Sequence, residues 1–199
     1  MTVVQFDSHP RKSPDTWVAP QLAVIVPSYN ERDNVPLLYE KVTAALGATP
    51  FEFIVVDDNS PDGTSEVVRE MARRHQNVRG IHRLGRRGLS SAVVEGILAS
   101  AAPYFAVIDA DLQHDETILP QMLDKAIAGD HIVVGTRYGG EGSVGEGLSK
   151  TREAGSRFAT KLSSLVTGKS LSDPMSGFFL MRRSVFDEMA LLLVEIARS

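Results

Sequence analysis

The 199-residue sequence contains no cysteine. That excludes disulfides, thiolate nucleophiles and cysteine-ligated zinc or iron–sulfur centres, and it fits a reducing compartment. No apolar run approaches the ~20 residues that a bilayer-spanning helix needs. The N-terminus lacks the charged-then-apolar order of a signal peptide. Positive charge is not in excess either: the formal net charge is −4, which argues against a nucleic-acid partner. Two phosphate-binding loops are missing as well. No Gly-x-Gly-x-x-Gly follows the first predicted strand, which speaks against a nicotinamide or flavin dinucleotide. No Gly-x-x-x-x-Gly-Lys-Ser/Thr is present, which speaks against a P-loop hydrolase. A phosphate ligand would have to be neutralised by other means.

Ordinary proportions of hydrophobic (43%) and charged (23%) residues fit one well-cored globular domain at this length. Residues 1–20 carry Pro10, Pro14 and Pro20 among polar neighbours and read as a flexible leader, leaving 21–199 as the domain. Short apolar runs at 22–26, 53–56, 78–82, 104–108 and 131–134 predict five strands, with Pro27 closing the first. Helices are predicted between them. The first is capped by Asp33 or Asn34, presents Val35, Leu38, Val42, Ala45 and Leu46 on one face, and is closed by Gly47. The second follows the turn Ser60-Pro-Asp-Gly63, capped by Thr64 and running to His75. Others cover 88–102 and 115–128, the latter kinked or broken at Pro120. Beyond the fifth strand lie a loop at 135–147 with six glycines, a helix at 148–166, one more strand at 177–181 and a terminal helix at 184–198. This alternation predicts an α/β fold: a doubly wound, mostly parallel sheet with helices on both faces in a single domain. Right-handed crossovers place the ends of strands one, two and four along one edge, where Tyr29, Glu31, Asp57, Asp58, Asp109 and Asp111 converge on one cleft.

The chemistry centres on Asp109-Ala-Asp111, two carboxylates one residue apart at a strand exit. They repel unless a cation sits between them, and hard oxygen ligands suit Mg²⁺ or Mn²⁺, which keeps positions for water and substrate phosphates. Gln113 can bond a sugar hydroxyl or a metal-bound water. His114 can be a ligand, though a lone loop histidine is more often solvated. Tyr29 offers a flat face for a base, and Asp58 an acceptor for a base or ribose. Between 148 and 170, Lys150, Arg152, Arg157, Lys161 and Lys169 face the single acid Glu153. Such a basic amphipathic helix suits a membrane surface or a phosphate ligand as well as plain solvent. Arg152 and Ser156 share a face at four-residue spacing, and Arg137 can swing onto a phosphate from the glycine-rich loop.

Five motifs in order carry a resemblance: Val26-Pro-Ser-Tyr-Asn-Glu31, Val55-Val-Asp-Asp-Asn-Ser-Pro-Asp-Gly-Thr64, Asp109-Ala-Asp-Leu-Gln-His114, Gly135-Thr-Arg-Tyr138 and Asp173-Pro-Met-Ser-Gly-Phe-Phe179. From Leu22 onward the sequence resembles family 2 glycosyltransferases of the GT-A fold, and within them the polyprenol- and dolichol-phosphate mannosyltransferases. The resemblance implies a nucleotide-sugar donor, GDP-mannose, and a lipid-phosphate acceptor reached at a membrane, with peripheral attachment at its cytoplasmic face. It implies that Pro27, Tyr29, Glu31, Val56 and Asp58 hold the nucleoside. Asp109, Ala110, Asp111 and Gln113 bind the diphosphate, with Asp109, Asp111 and Gln113 toward the metal. Arg137, Arg152 and Ser156 receive the acceptor phosphate, and Asp111, Arg137 and Asp173 stand nearest the chemistry. A UDP-sugar transferase and a non-catalytic nucleotide-binding relative are the alternatives. The family's basic loop, with an Arg and a Gly-Phe-Lys, has no counterpart after Phe186, so a shortened C-terminus is expected unless Arg182 or Arg183 substitutes. An aspartyl-phosphate hydrolase is disfavoured, since its nucleophile follows the first strand.

Overall fold

Leu22 to Val26 are all fully buried, as a strand covered on both faces requires. A computed structural model describes residues 18–85, 87–135 and 177–198, and this run forms the middle of its sheet. The elements are β1 (Leu22–Ser28), α1 (Asn34–Leu46), β2 (Phe51–Asp57), α2 (Thr64–Arg74), β3 (Val78–His82), α3 (Leu89–Leu98), β4 (Tyr104–Val107), a 3-10 turn (Glu116–Ile118) leading into α4 (Leu119–Ala128), β5 (Ile132–Val134), β6 (Phe179–Arg182) and α5 (Arg183–Arg198). The sheet order is β3-β2-β1-β4-β6-β5. β1 runs parallel to β2 and β4, and β3 parallel to β2, while β6 is antiparallel to both β4 and β5. The expected mostly parallel α/β fold is therefore present, with β6 as the reversed strand.

Period-2 alternation along the strands divides the core into two layers. Val24, Val26, Phe53 and Val55 face Val35, Leu38 and Val42 of α1, Val68 and Met71 of α2, and Met122 and Leu123 of α4. Ala23, Ile25, Ile54 and Val56 face Ala92, Val93 and Ile97 of α3 and Val185, Phe186 and Met189 of α5. α1 and α2 carry the chain outward from β1 to β3 on one face. α3 brings it back across the other face to β4, on the far side of β1. The strand order reverses there, and α/β sheets hold ligands at the carboxyl ends of the strands beside such a reversal. α3 lies close to the sheet because residue 96 is glycine: a Cβ there would collide with Ile25 Cγ2 and stand 3.2 Å from Val56 Cγ2.

Several local expectations are corrected. Pro27 does not end β1, which continues to Ser28 paired with Asp57. The Ile25 carbonyl accepts from Ile108 N at 3.1 Å on the β4 side. Pro27, two residues on, turns the same way, where β4 has already ended, so its missing N–H breaks no ladder bond. Asp33 occupies the α1 cap position without a side-chain bond; Asn34 Nδ2 instead donates to Glu31 Oε2 at 2.7 Å. Thr64 is the first residue of α2 rather than its cap, and Asp62 Oδ1 accepts from Thr64 N at 3.0 Å. Pro120 does break the segment before it, leaving the 3-10 turn and sitting in the first turn of α4, where a missing N–H is harmless. The leader as far as residue 17, Arg137, Arg152, Ser156, Asp173 and the predicted helix 148–166 lie outside the described residues, as does the glycine-rich stretch beyond Gly135.

Candidate functional site

The exits of β1 and β2 are laced together by backbone donors. Asn30 N donates to Ser60 Oγ at 2.8 Å, Glu31 N to Thr64 Oγ1 at 3.1 Å and Arg32 N to Asp62 Oδ2 at 3.1 Å. Asp57 holds this arrangement from below. It is 2% exposed and accepts from Ser60 N at 3.2 Å, from Ser60 Oγ and from Ser65 Oγ. The pairing of adjacent aspartates thus splits by role. Asp57 is committed to folding the loop and is not presented to the cleft, contrary to the convergence expected for it.

Asp58 is also held by the protein itself. Its Oδ1 accepts from Arg83 Nη1 and its Oδ2 from Gly88 N at 2.7 Å. The Arg83 side chain is 1% exposed; Nη1 also reaches the Gly88 carbonyl at 3.2 Å, Nη2 bonds Ser91 Oγ, and Nε lies 3.4 Å from Glu95 Oε1. Arg83 and Gly88 were not singled out from the sequence, where an arginine at a strand end has no distinguishing pattern. Tyr29 is 44% exposed, and its ring is covered by the Arg87 guanidinium at 4.6 Å from the centroid. A cation over a ring face is favourable, and a planar partner stacking on that face would have to displace Arg87. Pro27 and Glu31 are half-buried at the same strand exit. Val56 is fully buried beneath α3 and Ala110 is 2% exposed in the opposite layer, so only their backbones can meet a ligand.

The acidic turn leaves β4 immediately after Ile108. The Asp109 side chain is 21% exposed, Asp111 is half-buried and Gln113 exposed. Leu112 takes a left-handed φ of 58° and packs against the core, between the half-buried Asp111 and the exposed Gln113. Gln113 N donates to Asp111 Oδ1 at 3.2 Å. His114 departs from the solvated expectation: its side chain is 1% exposed, with Nε2 3.6 Å from Asp109 Oδ2. From the other side comes Gly177, where a Cβ would collide with the Asp109 carboxylate. Arg182 and Arg183 lie at the opposite edge of the sheet. Arg182 pairs with Tyr104, the first residue of β4, and donates to the Ala126 carbonyl, while Arg183 donates to the carbonyls of Ala102 and Ile97. They cannot stand in for a basic loop over a diphosphate.

Among the described residues no group of three or more His, Asp, Glu or Cys gathers into a metal cage. That does not exclude a divalent ion here. Two carboxylates and an amide on one turn are too few and too hard for structural zinc, but they match an ion that takes one or two carboxylates and leaves the rest to water and phosphate. The donor set fits Mg²⁺ or Mn²⁺.

A mostly parallel sheet with an acidic turn after β4 and a laced, aromatic exit from β1 is an arrangement of the GT-A fold. The chain belongs to glycosyl transferase family 2, whose family model matches residues 23–190. It is 36% identical over 169 residues to a dolichol-phosphate mannosyltransferase of Pyrococcus furiosus, covering 84% of this chain and 47% of that protein. It is also 36% identical over 171 residues to a protein of the same name from Saccharomyces cerevisiae, covering 84% and 62%. The chain thus spans about half to three-fifths of the length of these relatives. In fold it is similar to a mannosyltransferase of Pyrobaculum calidifontis solved with GDP-mannose and Mn²⁺. That match has a TM-score of 0.54 and 20% identity, and covers 86% of this chain and 47% of the other.

Proposed function

We propose that the chain is the transferase core that moves mannose from GDP-mannose to a polyprenyl or dolichyl phosphate, metal-dependently and with inversion at the anomeric carbon. The observation that carries this reading is 36% identity across 84% of the chain to proteins named for that reaction. Tyr29 would stack the base and Asp58, fixed by Arg83, would accept from the nucleoside; Pro27, Glu31 and the Val56 backbone complete the shelf. Asp109, Asp111 and Gln113 would hold the ion, with the Ala110 backbone beside the diphosphate. When bound, Mg²⁺ or Mn²⁺ supplies charge stabilisation for the departing nucleoside diphosphate.

The acceptor needs no general base. A monoalkyl phosphate has its second pKa near ~6 and is largely dianionic at neutral pH. It needs cations to aim it, the role assigned by sequence resemblance to Arg137 and Arg152 with Ser156, leaving Asp173 to orient the reacting groups. No helix among the described residues is long and apolar enough to cross a membrane. The sequence resemblance implies a lipid-phosphate acceptor met at the cytoplasmic face of a membrane.

The test is transfer of radiolabel from GDP-mannose into a lipid extract. Label should enter the lipid phase with Mg²⁺ or Mn²⁺ and not in excess chelator; equal transfer under chelation would remove the metal from the reaction. Thermal shifts with GDP-, UDP- and dTDP-sugars identify the donor, since the true one stabilises by mass action. Stabilisation by UDP-sugars alone would overturn the GDP assignment.

A further inference from the structure

His114 is a buried imidazole whose two ring nitrogens both lack a hydrogen-bond partner. Its ring rests against Phe178 at 5.4 Å between centroids, so packing accounts for its flat faces but not for its polar atoms. A buried polar group left unmatched is costly and calls for an explanation. Its nearest charged neighbour is Asp109 Oδ2, 3.6 Å from Nε2. That is beyond hydrogen-bond length, yet a movement of less than an ångström would close it. The Gly177 backbone crowds the same carboxylate so closely that no Cβ could be accommodated. Asp109 Oδ2 is therefore crowded twice, by the Gly177 backbone and by the edge of the imidazole.

We propose that His114 is a positioning residue for Asp109: Nε2–H would bond Oδ2 and fix the orientation of the carboxylate toward a cation. This rests on the divalent-ion reading of Asp109 and Asp111. Carboxylates that ligate metals are themselves hydrogen-bonded, and removing such outer partners costs about 10–100-fold in metal affinity. Glycine at 177 then serves the same end, since any side chain there would displace the carboxylate. The sequence hid this role because His114, three residues beyond Asp111, looks like any loop histidine until its burial is known.

The measurement is Mn²⁺ affinity by electron paramagnetic resonance in the presence of GDP, which does not depend on turnover. His114→Phe keeps the ring packing and removes the N–H; it should weaken Mn²⁺ binding by about tenfold or more. His114→Gln restores a donor near the Nε2 position and should recover affinity to within a few-fold. Equal loss in both variants, or no loss in either, overturns the proposal. Asp111→Asn, measured alongside, must itself weaken Mn²⁺; if it does and His114→Phe does not, only the His114 role fails. If Asp111→Asn binds as the parent does, the ion site is wrong and this role falls with it. Spin-echo spectra of ¹⁵N-histidine-labelled parent protein provide a readout without substitutions. A weak through-space nitrogen coupling is expected, and either direct nitrogen ligation or no coupling contradicts a positioning role.

Discussion

Replacing Arg83 by methionine tests whether Asp58 is held by a dry ion pair. The Arg83 side chain is 1% exposed and that of Asp58 12%, so neither charge has water to fall back on. Arg83→Met keeps much of the side-chain volume but leaves the Asp58 carboxylate with the Gly88 N–H bond at 2.7 Å and no counter-charge. Removing one partner of a buried pair costs about 3–5 kcal/mol, because the surviving charge stays desolvated; an exposed pair costs about 0–1 kcal/mol. For a domain of this size each kcal/mol moves Tm by roughly 2–4 °C, so a fall of about 6–20 °C is expected. Asp58→Asn should cost less, since the surviving Arg83 guanidinium keeps Glu95 Oε1 3.4 Å from its Nε and its bonds to the Gly88 carbonyl and Ser91 Oγ. The double variant should be more stable than the sum of the two losses predicts, by up to about 3 kcal/mol. Urea unfolding followed by circular dichroism at pH 7 supplies all four corners. A loss below about 1 kcal/mol for Arg83→Met, or strict additivity, would refute the buried-pair argument.

Other substitutions probe the lacing and the close approaches. The Asp62 carboxyl is held below its ordinary value: burial pushes it up, but bonds from Thr64 Oγ1, Thr64 N and Arg32 N outweigh that. A lowered pKa contributes stability that is present above the unfolded value of about 3.8 and lost as pH falls through the folded one. Asp62→Asn should therefore lower the urea midpoint at pH 6, with the gap to the parent closing below pH ~3.8. Gly96→Ala drives a Cβ into Ile25 and Val56 and should cost about 1–3 kcal/mol by overpacking, read as a reduced Tm with unchanged helix content. Gly177→Ala displaces the Asp109 carboxylate rather than backbone; Mn²⁺ affinity should drop while Tm moves by only a few degrees. A large Tm loss with intact Mn²⁺ binding would mean that Gly177 serves packing alone.

The strands and helices were legible because their signals are local. Leu22–Val26 is apolar without interruption, α1 repeats apolar residues every three or four positions, and turn residues separate them. The acidic turn was legible for the same reason, since Asp109 and Asp111 follow an apolar run directly. What escaped depends on partners distant in sequence. Asp57 and Asp58 are adjacent and chemically identical, yet one folds a loop and the other meets Arg83, 25 residues later. Asp57 meets Ser60 and Ser65 close by in the chain, but two adjacent aspartates compete for them and the neighbouring residues do not say which one wins. Pro27 misled because its effect depends on where β4 ends, and Asp33 because the first N–H groups of α1, Asn34 N and Val35 N, donate instead to the Glu31 carbonyl. Arg182 and Arg183 looked available for a phosphate as sequence, but the antiparallel direction of β6 delivers them to the opposite edge.

The cost of building this site is concentrated where β1, β2 and β4 end. Among the described residues, the non-glycine positions with positive φ are Asn30 at 61°, Asn59 at 59° and Leu112 at 58°, one after each of β1, β2 and β4. Asparagine tolerates the left-handed region; leucine does so at a cost of about 1–2 kcal/mol. Strain of that kind persists only where surrounding contacts over-determine it, and the contacts can be named. Asn30 N is fixed by Ser60, Asn59 Oδ1 is bonded to His82 Nε2, and Leu112 is packed into the core. Each reversal directly follows a residue of the candidate site: Tyr29 precedes Asn30, Asp58 precedes Asn59 and Asp111 precedes Leu112. The same local device is used three times, so the shelf and the acidic turn are set by the strand ends before any ligand arrives. Relieving it with glycine at Leu112 would remove the conformational cost and the core anchor together. Stability would then change little, while Asp111 would lose its fixed direction.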